Sequence, residues 1–181
     1  NGKDLILSLD KNIQAAAMDA LKKTVEYHKA SSGSAVVLDA KTGEILAMVD
    51  YPNFDPAHFN KYSSEVRRNH AIIDVMEPGS LFKPFIVAKA LDEGKVNPNT
   101  IIDTAPYILQ NHKIADVSIY PSLTVTGIIR KSSNVGVSKL MSMLDSQDVY
   151  YYLQQLGIGR QLHTEFPGEA KGILHNWRNW S

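Results

Sequence analysis

Residues 77–94 read EPGSLFKPFIVAKALDEG, and this stretch determines the fold class that the sequence predicts. From Ser80 onward the residues favour a helix that ends at Gly94, and its first half is apolar on nearly every side except at Lys83. Such a helix is normally buried. Pro84 removes one hydrogen bond within the helix, but it does so in the opening turn, where the loss is tolerated. We therefore predict a buried helix over residues 80–93.

The spacing of Ser80 and Lys83 predicts a nucleophile beside its base. A serine hydroxyl is a weak nucleophile at neutral pH and needs a base within hydrogen-bond reach. Side chains three positions apart on a helix share one face. A lysine accepts a proton only when it is uncharged, and an apolar environment lowers its pKa by disfavouring the ammonium form. The apolar residues around this pair are Leu81, Phe82, Phe85, Ile86 and Val87. The start of a helix also presents backbone N–H groups that suit an oxyanion.

A serine followed three residues later by a lysine is weak evidence when taken alone. A second copy, Ser8 and Lys11, falls where a strand gives way to a polar helix start, so we expect Lys11 to be solvated and assign that copy no chemistry. For Ser80 and Lys83 the alternative is a serine that caps a helix and a lysine in water. The bare pattern leaves both interpretations open.

The first thirty residues predict a short strand and a long helix. Asp4–Leu9 alternates apolar and polar residues, as a short strand does. Asp10 then offers an N-cap to an amphipathic helix that ends near residues 31–33.

Between that helix and Ser80 the sequence predicts a β-hairpin and a loop. Residues 34–40 and 44–49 are rich in residues that suit strands, and Lys41-Thr42-Gly43 between them has the glycine of a tight turn. Prolines then break regular structure, and the segment up to Ser80 is predicted as loop with short helices.

Beyond Gly94 the sequence predicts further helices and little regular strand. Residues 97–110 favour a loop followed by an extended piece, and the tail from residue 164 to residue 181 is irregular. The predicted helices are Thr124–Arg130, Val135–Leu144 and one capped by Ser146 that runs to Leu156. Together these elements predict an α/β (α+β) fold in which helices cover an antiparallel sheet.

Composition excludes several classes of function. Apolar residues make up 44% of the 181 positions and charged residues 21%, which is typical of a globular protein. Nineteen basic residues balance nineteen acidic ones, so we expect no nucleic-acid partner. The absence of cysteine excludes thiolate catalysis and zinc–sulfur sites, and the six scattered histidines predict no metal site and no cofactor. No stretch reaches the about 18 apolar residues that a membrane span needs.

Two motifs in order give the chain a family resemblance. EPGSLFKPF around Ser80 is followed about fifty residues later by KSSNVGVSKL, residues 131–140. This pair resembles the first two motifs, S-x-x-K and S-x-N, of the transpeptidase domain of class B penicillin-binding proteins. The stretch SGSAVVLDAKTGEILAMVDYPNFDP is similar to the hairpin and loop upstream of the first motif in that family. The KSSN form is closest to the septal, FtsI-type transpeptidases (penicillin-binding protein 3).

The resemblance implies a fold, an activity and roles for four residues. The fold would be that of penicillin-binding transpeptidases and serine β-lactamases. Ser80 would be acylated by the D-Ala-D-Ala stem of peptidoglycan, with Lys83 as its base, and the acyl group would pass to an amine of a neighbouring stem. Ser132 would relay a proton to the leaving amine, and Asn134 would hold the substrate amide. For Ser132 and Asn134 the alternative is a polar turn that caps the next helix.

The resemblance also implies partners and a location. β-Lactam antibiotics would acylate Ser80, and other cell-division proteins would be partners of the intact protein. The protein would work at the periplasmic face of the bacterial inner membrane, anchored by an N-terminal helix that this chain lacks. A β-lactam sensor, a β-lactamase-like protein or a non-catalytic scaffold of the same fold remain alternatives.

Two departures from the family pattern lead to further expectations. Leu81 replaces the family's usual threonine, which removes a hydroxyl near the nucleophile. The third motif, K-T/S-G, does not follow the second, and Lys41-Thr42-Gly43 precedes the nucleophile and is given no binding role. We therefore expect residues 1–181 to be the N-terminal portion of a transpeptidase domain. The isolated chain is expected to react with penicillin slowly or not at all, and to self-associate through an exposed strand edge and apolar surface.

Overall fold

A computed structural model describes residues 2, 4–164 and 166–180. These residues form two compact units. The first contains the described residues up to Val75 together with segment His163–Ala170. The second contains Met76–Leu162 together with the described residues from Lys171 onward.

In the first unit, a helix packs on a two-stranded antiparallel hairpin. Helix α1 is Lys11–His28, strand β1 is Gly33–Leu38 and strand β2 is Ile45–Tyr51. The carboxylate of Asp10 accepts the N–H groups of residues 12 and 13, so the predicted N-cap is confirmed. The helix ends at His28, a few residues earlier than predicted, because the next residue adopts the left-handed conformation.

The predicted strand Asp4–Leu9 is wrong. Apolar and polar residues alternate in this segment, as in a strand, but its backbone joins no strand ladder. The Ser8 hydroxyl donates to the Ile45 carbonyl at 2.7 Å, and the Asp10 N–H donates to the Leu46 carbonyl at 2.9 Å. Alternation predicts a strand only where a neighbouring strand pairs with most of the backbone groups, and two hydrogen bonds do not make such a ladder.

The predicted loop between the hairpin and Ser80 contains short helices, as expected. A 3-10 helix covers Pro56–Lys61, and helix α2 covers His70–Ile73. The Ala170 N–H donates to the Ile72 carbonyl at 3.0 Å, which ties the later segment of this unit to α2.

The second unit is mainly helical, with two small antiparallel ladders. A 3-10 turn, Gly79–Phe82, leads into the first helix, and a last 3-10 turn covers Trp177–Asn179. The helices are α3 (Lys83–Asp92), α4 (Val125–Lys131), α5 (Asn134–Met141) and α6 (Ser146–Gln155). The strands are β3 (Ile101–Asp103), β4 (Tyr107–Leu109), β5 (His112–Ile114) and β6 (Ser122–Thr124). Strand β3 pairs with β6, and β4 pairs with β5.

The core of the second unit lies between its helices. Helix α3 contacts α4, α5 and α6. The buried core residues are Ile86, Val87, Ala90, Val96, Ile102, Val125, Ile128, Leu140, Leu144, Val149 and Leu153. The fold class predicted from the sequence, helices with antiparallel sheet, is confirmed.

Several helix predictions need correction. Helix α3 begins at Lys83 rather than Ser80, and it is not buried all round. Leu81 is 79% exposed and Phe85 is 38% exposed, because the 3-10 turn and the helix direct these positions away from the core. The cap of α6 is Asp145, whose carboxylate accepts the N–H groups of residues 147 and 148, and not Ser146.

The remaining predictions concern the tail and the membrane. The tail is irregular apart from Trp177–Asn179, and residues 165 and 181 lie outside the described set. In the described part of the chain, every helix is too short or too polar to cross a bilayer.

Candidate active site

Ser80 lies in a 3-10 turn whose geometry the sequence imposes. Gly79 has φ +57°, in the left-handed region that favours glycine, and the turn starts there. In an α-helix the Ser80 carbonyl would accept the N–H of residue 84, but that residue is Pro84 and has no N–H. The Lys83 N–H donates to the Ser80 carbonyl instead. Residues three apart eclipse in a 3-10 helix, so Ser80 and Lys83 lie on one face.

The structure places all four residues predicted for the site around one cavity. Its volume is about 160 Å³. The lining residues are Ser80, Lys83, Asp116, Val117, Ser118, Tyr120, Lys131, Ser132 and Asn134. Leu81, which stands where the family usually has threonine, is not among them.

A tight turn between two helices presents Ser132 and Asn134 to the cavity. Ser132 follows α4 in the left-handed conformation, with φ +53°, and its N–H donates to the carbonyls of residues 128 and 129. Ser133 is buried and caps α5, since its hydroxyl accepts the Gly136 N–H at 2.8 Å. The capping role that was the alternative for Ser132 and Asn134 is therefore filled by Ser133. The side chains of Ser132 and Asn134 line the cavity instead.

Close packing of α4 against α5 fixes this turn. A Cβ atom added at Gly136 would lie 2.5 Å from Cγ1 and 2.7 Å from Cδ1 of Ile128, which is fully buried. Only a residue without a side chain allows the two helices to approach this closely. The position of Ser132–Asn134 is thus set by the core beneath it.

The Lys83 amino group bonds to the turn. Its Nζ donates to the Ser132 carbonyl at 2.5 Å, to Ser132 Oγ at 3.0 Å and to Asn134 Oδ1 at 2.7 Å. Three acceptors match the three hydrogens of an ammonium group, whereas a neutral amine has two. Of the three acceptors, only the Ser132 hydroxyl can reverse and donate a hydrogen bond. These three contacts therefore suit the protonated lysine. When Lys83 is neutral, the Ser132 hydroxyl can instead donate a hydrogen bond to its amine.

The Ser80 hydroxyl makes no hydrogen bond within the described part of the chain. The structure thus brings Ser80 and Lys83, the predicted nucleophile and base, to one cavity without a direct hydrogen bond between them. Catalytic hydrogen bonds in ligand-free enzymes often tighten only when substrate binds, so this arrangement is compatible with the expected pair.

Burial lowers the pKa of Lys83 below the ordinary lysine value, and the nearby Asp116 carboxylate partly opposes that effect. This lowering of the pKa agrees with the sequence prediction. Fewer apolar side chains surround Lys83 than expected, however, because Leu81 points into solvent. A lysine of lowered pKa holds a larger neutral fraction near pH 7, as a general base requires.

Asp116 was not predicted from the sequence, and it binds the turn directly. Its Oδ1 accepts the N–H of Asn134 at 2.5 Å and of Val135 at 3.0 Å, and its Oδ2 accepts the Ser133 hydroxyl at 2.6 Å. The side-chain amide of Asn134 also donates, through Nδ2, to the Ala115 carbonyl at 3.2 Å. Capping rules inspect the residue next to a helix start, and Asp116 lies 18 residues before Asn134.

The other sequence patterns fall elsewhere. Ser8, of the second S-x-x-K pattern, belongs to the first unit and bonds to the Ile45 carbonyl. Lys41-Thr42-Gly43 forms the turn between β1 and β2, as predicted. Among the described residues, no three His, Asp or Glu side chains are grouped as a metal site would need.

Comparisons with known proteins converge on one family. Residues 33–181 match the family model described as the penicillin binding protein transpeptidase domain. The chain is 51% identical to the probable peptidoglycan D,D-transpeptidase PenA of Neisseria gonorrhoeae over 99% of its own length and 31% of that protein. It is 40% identical to the peptidoglycan D,D-transpeptidase FtsI of Escherichia coli over 98% of its length and 30% of that protein.

A solved structure agrees with these relatives. The apo transpeptidase domain of Burkholderia pseudomallei penicillin-binding protein 3 is 37% identical and superposes with a TM-score of 0.86, covering 100% of this chain and 51% of that one. The chain spans about a third of the length of the curated relatives it matches.

Proposed function

The chain belongs to the penicillin-binding protein transpeptidase domain family, and we propose that it carries the nucleophile and base of a peptidoglycan D,D-transpeptidase. One observation carries this proposal: Ser80, Lys83, Ser132 and Asn134, which come from two motifs about fifty residues apart, line a single cavity. The names of the relatives support the same reaction class.

The first half of the proposed reaction forms an acyl-enzyme. Ser80 Oγ attacks the carbonyl carbon of the D-Ala-D-Ala peptide bond while its proton passes to Lys83 Nζ. The C–N bond then breaks, and the terminal D-Ala leaves as an amine after receiving a proton through the Ser132 hydroxyl. Asn134 holds the amide of the donor stem. The Ser80 ester retains the rest of that stem.

The second half transfers the acyl group. An amine of a neighbouring stem attacks the ester carbonyl, loses a proton to Lys83, and the C–O bond to Ser80 breaks as Oγ regains a proton. A β-lactam follows the first half only, because its ring amide opens without releasing a leaving group. For either substrate Lys83 must first lose a proton, and the reversible Ser132 hydroxyl provides a partner for the neutral amine.

The wider assignment is also a proposal. Residues 1–181 form the N-terminal portion of a transpeptidase domain, and the whole protein acts in septal peptidoglycan synthesis with other cell-division proteins. Its site of action is the periplasmic face of the inner membrane, with an N-terminal helical anchor outside this chain. Support comes from the 40% identity to an FtsI protein.

Covalent labelling of the natural protein with a fluorescent penicillin tests the function. We expect Ser80→Ala to abolish labelling and Lys83→Ala to slow it by about 10²–10⁴-fold, the range over which a positioned base acts. Ser8→Ala is the matched control, since it removes the serine of the second S-x-x-K pattern, and it should label like the wild type.

Labelling that survives Ser80→Ala would contradict the proposal. The same gel also separates the alternatives. A persistent adduct is expected of a transpeptidase, an adduct lost within minutes would indicate a β-lactamase, and no adduct in a folded protein would indicate a scaffold.

A further inference from the structure

We propose that Asp116 is a positioning residue of this site: its carboxylate holds the Ser132–Asn134 turn, and its negative charge favours the ammonium form of Lys83. This inference rests on the proposed function for its catalytic meaning. Its structural part stands on the contacts of the carboxylate, and its electrostatic part stands on the position of that carboxylate in the cavity that Lys83 also lines.

Both carboxylate oxygens of Asp116 are used by the turn. They receive the hydroxyl of Ser133 and the N–H groups of Asn134 and Val135, at 2.5–3.0 Å. The last two N–H groups lie in the first turn of α5, which has no partner for them within the helix. A loop residue far away in sequence thereby bonds directly to Asn134, one of the two residues that bind Lys83 Nζ, and to Ser133, the neighbour of the other, Ser132.

The same carboxylate is the only acidic group among the residues that line the cavity. The other titratable residues there are Lys83, Lys131 and Tyr120, and the Lys131 ammonium lies 5.4 Å from the Tyr120 ring centroid. The charge of Asp116 therefore favours the Lys83 ammonium, against the larger effect of burial, which favours the neutral amine.

Asp116→Asn separates the charge from the hydrogen bonds. The asparagine keeps an amide oxygen that can accept the N–H groups of Asn134 and Val135, but it removes the negative charge. Without that charge the pKa of Lys83 falls further. A larger fraction of Lys83 is then neutral at low pH. The rise of the acylation rate constant on the acidic side of its pH profile, here called the acid limb, therefore shifts to lower pH. The plateau rate falls or stays equal, because a less basic amine is a weaker proton acceptor.

Two control variants isolate the charge effect. Ser133→Ala removes the hydroxyl that bonds to Oδ2 but keeps the Asp116 charge, so it should lower the melting temperature without moving the acid limb. Asp103→Asn removes one carboxylate, paired with Lys139 at 2.8 Å, from a residue outside the cavity lining. It controls for net charge and should leave the acid limb in place.

The experiment is a pH series on the natural protein, the Asp116→Asn variant and the two controls. The acylation rate constant is measured with penicillin, and the Lys83 Nζ titration is followed by NMR with Lys83→Arg identifying the signal. We expect both profiles to move to lower pH in Asp116→Asn alone. Asp116→Ser, which also removes the charge and keeps an acceptor, replaces it if the asparagine variant does not fold.

The outcomes distinguish this inference from the proposed function. A Lys83 titration unchanged in Asp116→Asn, or moved equally by Asp103→Asn, overturns the inference even if penicillin labels Ser80. A Lys83 titration that moves as expected in a protein that penicillin does not acylate supports the role of Asp116 and refutes the transpeptidase proposal.

Discussion

Gly136 is the residue at which helix packing and the candidate site are most directly linked. We expect Gly136→Ala to lower the free energy of unfolding, because its Cβ would lie 2.5 Å from Ile128 Cγ1, and overpacking of this kind costs about 1–3 kcal/mol. The gain in helix propensity, about 1 kcal/mol, offsets only part of this. Urea unfolding measures the change.

Gly127→Ala is the matched control for that variant. It also replaces a helical glycine, but its Cβ would come no closer than 3.3 Å to Thr124 Oγ1. Its free energy of unfolding should equal or exceed that of the wild type. If the two alanine variants were equally stable, the close approach of α4 and α5 at Gly136 would not be limiting.

At the residue scale, the sequence allows a prediction only where the signal is local. Ser80 and Lys83 are three positions apart, and the backbone between them decides whether they share a face. Asp116 could not be found in this way, because it lies in an irregular loop and acts on a helix start 18 residues later. A carboxylate that caps a distant helix leaves no local pattern in the sequence.

At the scale of elements, a hydrogen bond between His70 and Asp74 joins the two ends of helix α2. His70 Nδ1 and Asp74 Oδ2 are 2.7 Å apart, and the Arg68 guanidinium donates to Oδ1 of the same carboxylate at 2.5 Å. The hydrogen bond to Asp74 raises the pKa of His70, although burial opposes this and the charges of Asp74 and Asp50 support it. The hydrogen bond from His70 lowers the pKa of Asp74.

This pair makes the stability of the first unit depend on pH. A histidine whose folded pKa is raised contributes stability that is fully present below its unfolded pKa of about 6.5 and is lost as pH rises through the folded value. Asp74 stays ionised throughout that range. We expect the melting temperature of the wild type to fall relative to that of His70→Gln as the pH rises above about 6.5, as measured by circular dichroism.

Asp74→Asn tests whether the pair is the cause. It should remove the same pH dependence, and the double variant should add little to either single change. A wild-type pH dependence that persists unchanged in His70→Gln would assign it to other groups.

Element boundaries could be predicted from the sequence only in part. Asp10 was predicted as an N-cap and is one, because it directly precedes its helix. Thr124 was predicted as the first residue of its helix and is instead the N-cap. The strands of the second unit have three residues each, which is too short for an alternating pattern to emerge. Asp4–Leu9 shows the converse, since its alternation predicts a strand for which no ladder exists.

At the scale of the whole molecule, strand β1 leaves an apolar row in solvent. Val36 is 44% exposed and Leu38 is 56% exposed, and among the described strands β1 pairs only with β2. An unpaired edge with apolar side chains promotes association between chains. We expect the 181-residue chain to self-associate with rising concentration, and Val36→Lys to weaken this association in sedimentation velocity.

Tyr27→Lys is the control, because it introduces the same charge at an exposed position on α1 rather than on the strand edge. It should leave the association unchanged. A chain that stays monomeric at high concentration would contradict this prediction.

The fold class of the molecule was predictable, and the small ladders of its second unit were not. Periodic helices and one hairpin suffice to predict helices with antiparallel sheet. The division into two compact units was not predicted, because it depends on residues 163–170 joining the first unit, and a loop of that kind has no periodicity.

Because residue 84 is a proline, we expect positions 80–84 to differ in how well they tolerate amino-acid substitution. Any other residue at 84 would bring an amide hydrogen that can reach the Ser80 carbonyl, and the backbone could then continue as an α-helix through the serine. Residues in an α-helix are spaced by about 100° rather than the 120° of a 3-10 helix, so the hydroxyl would turn by about 60° relative to the lysine over three residues. The neighbouring Leu81 has no such constraint, since its side chain faces solvent. A variant library over these five positions would therefore be depleted at 84 and permissive at 81.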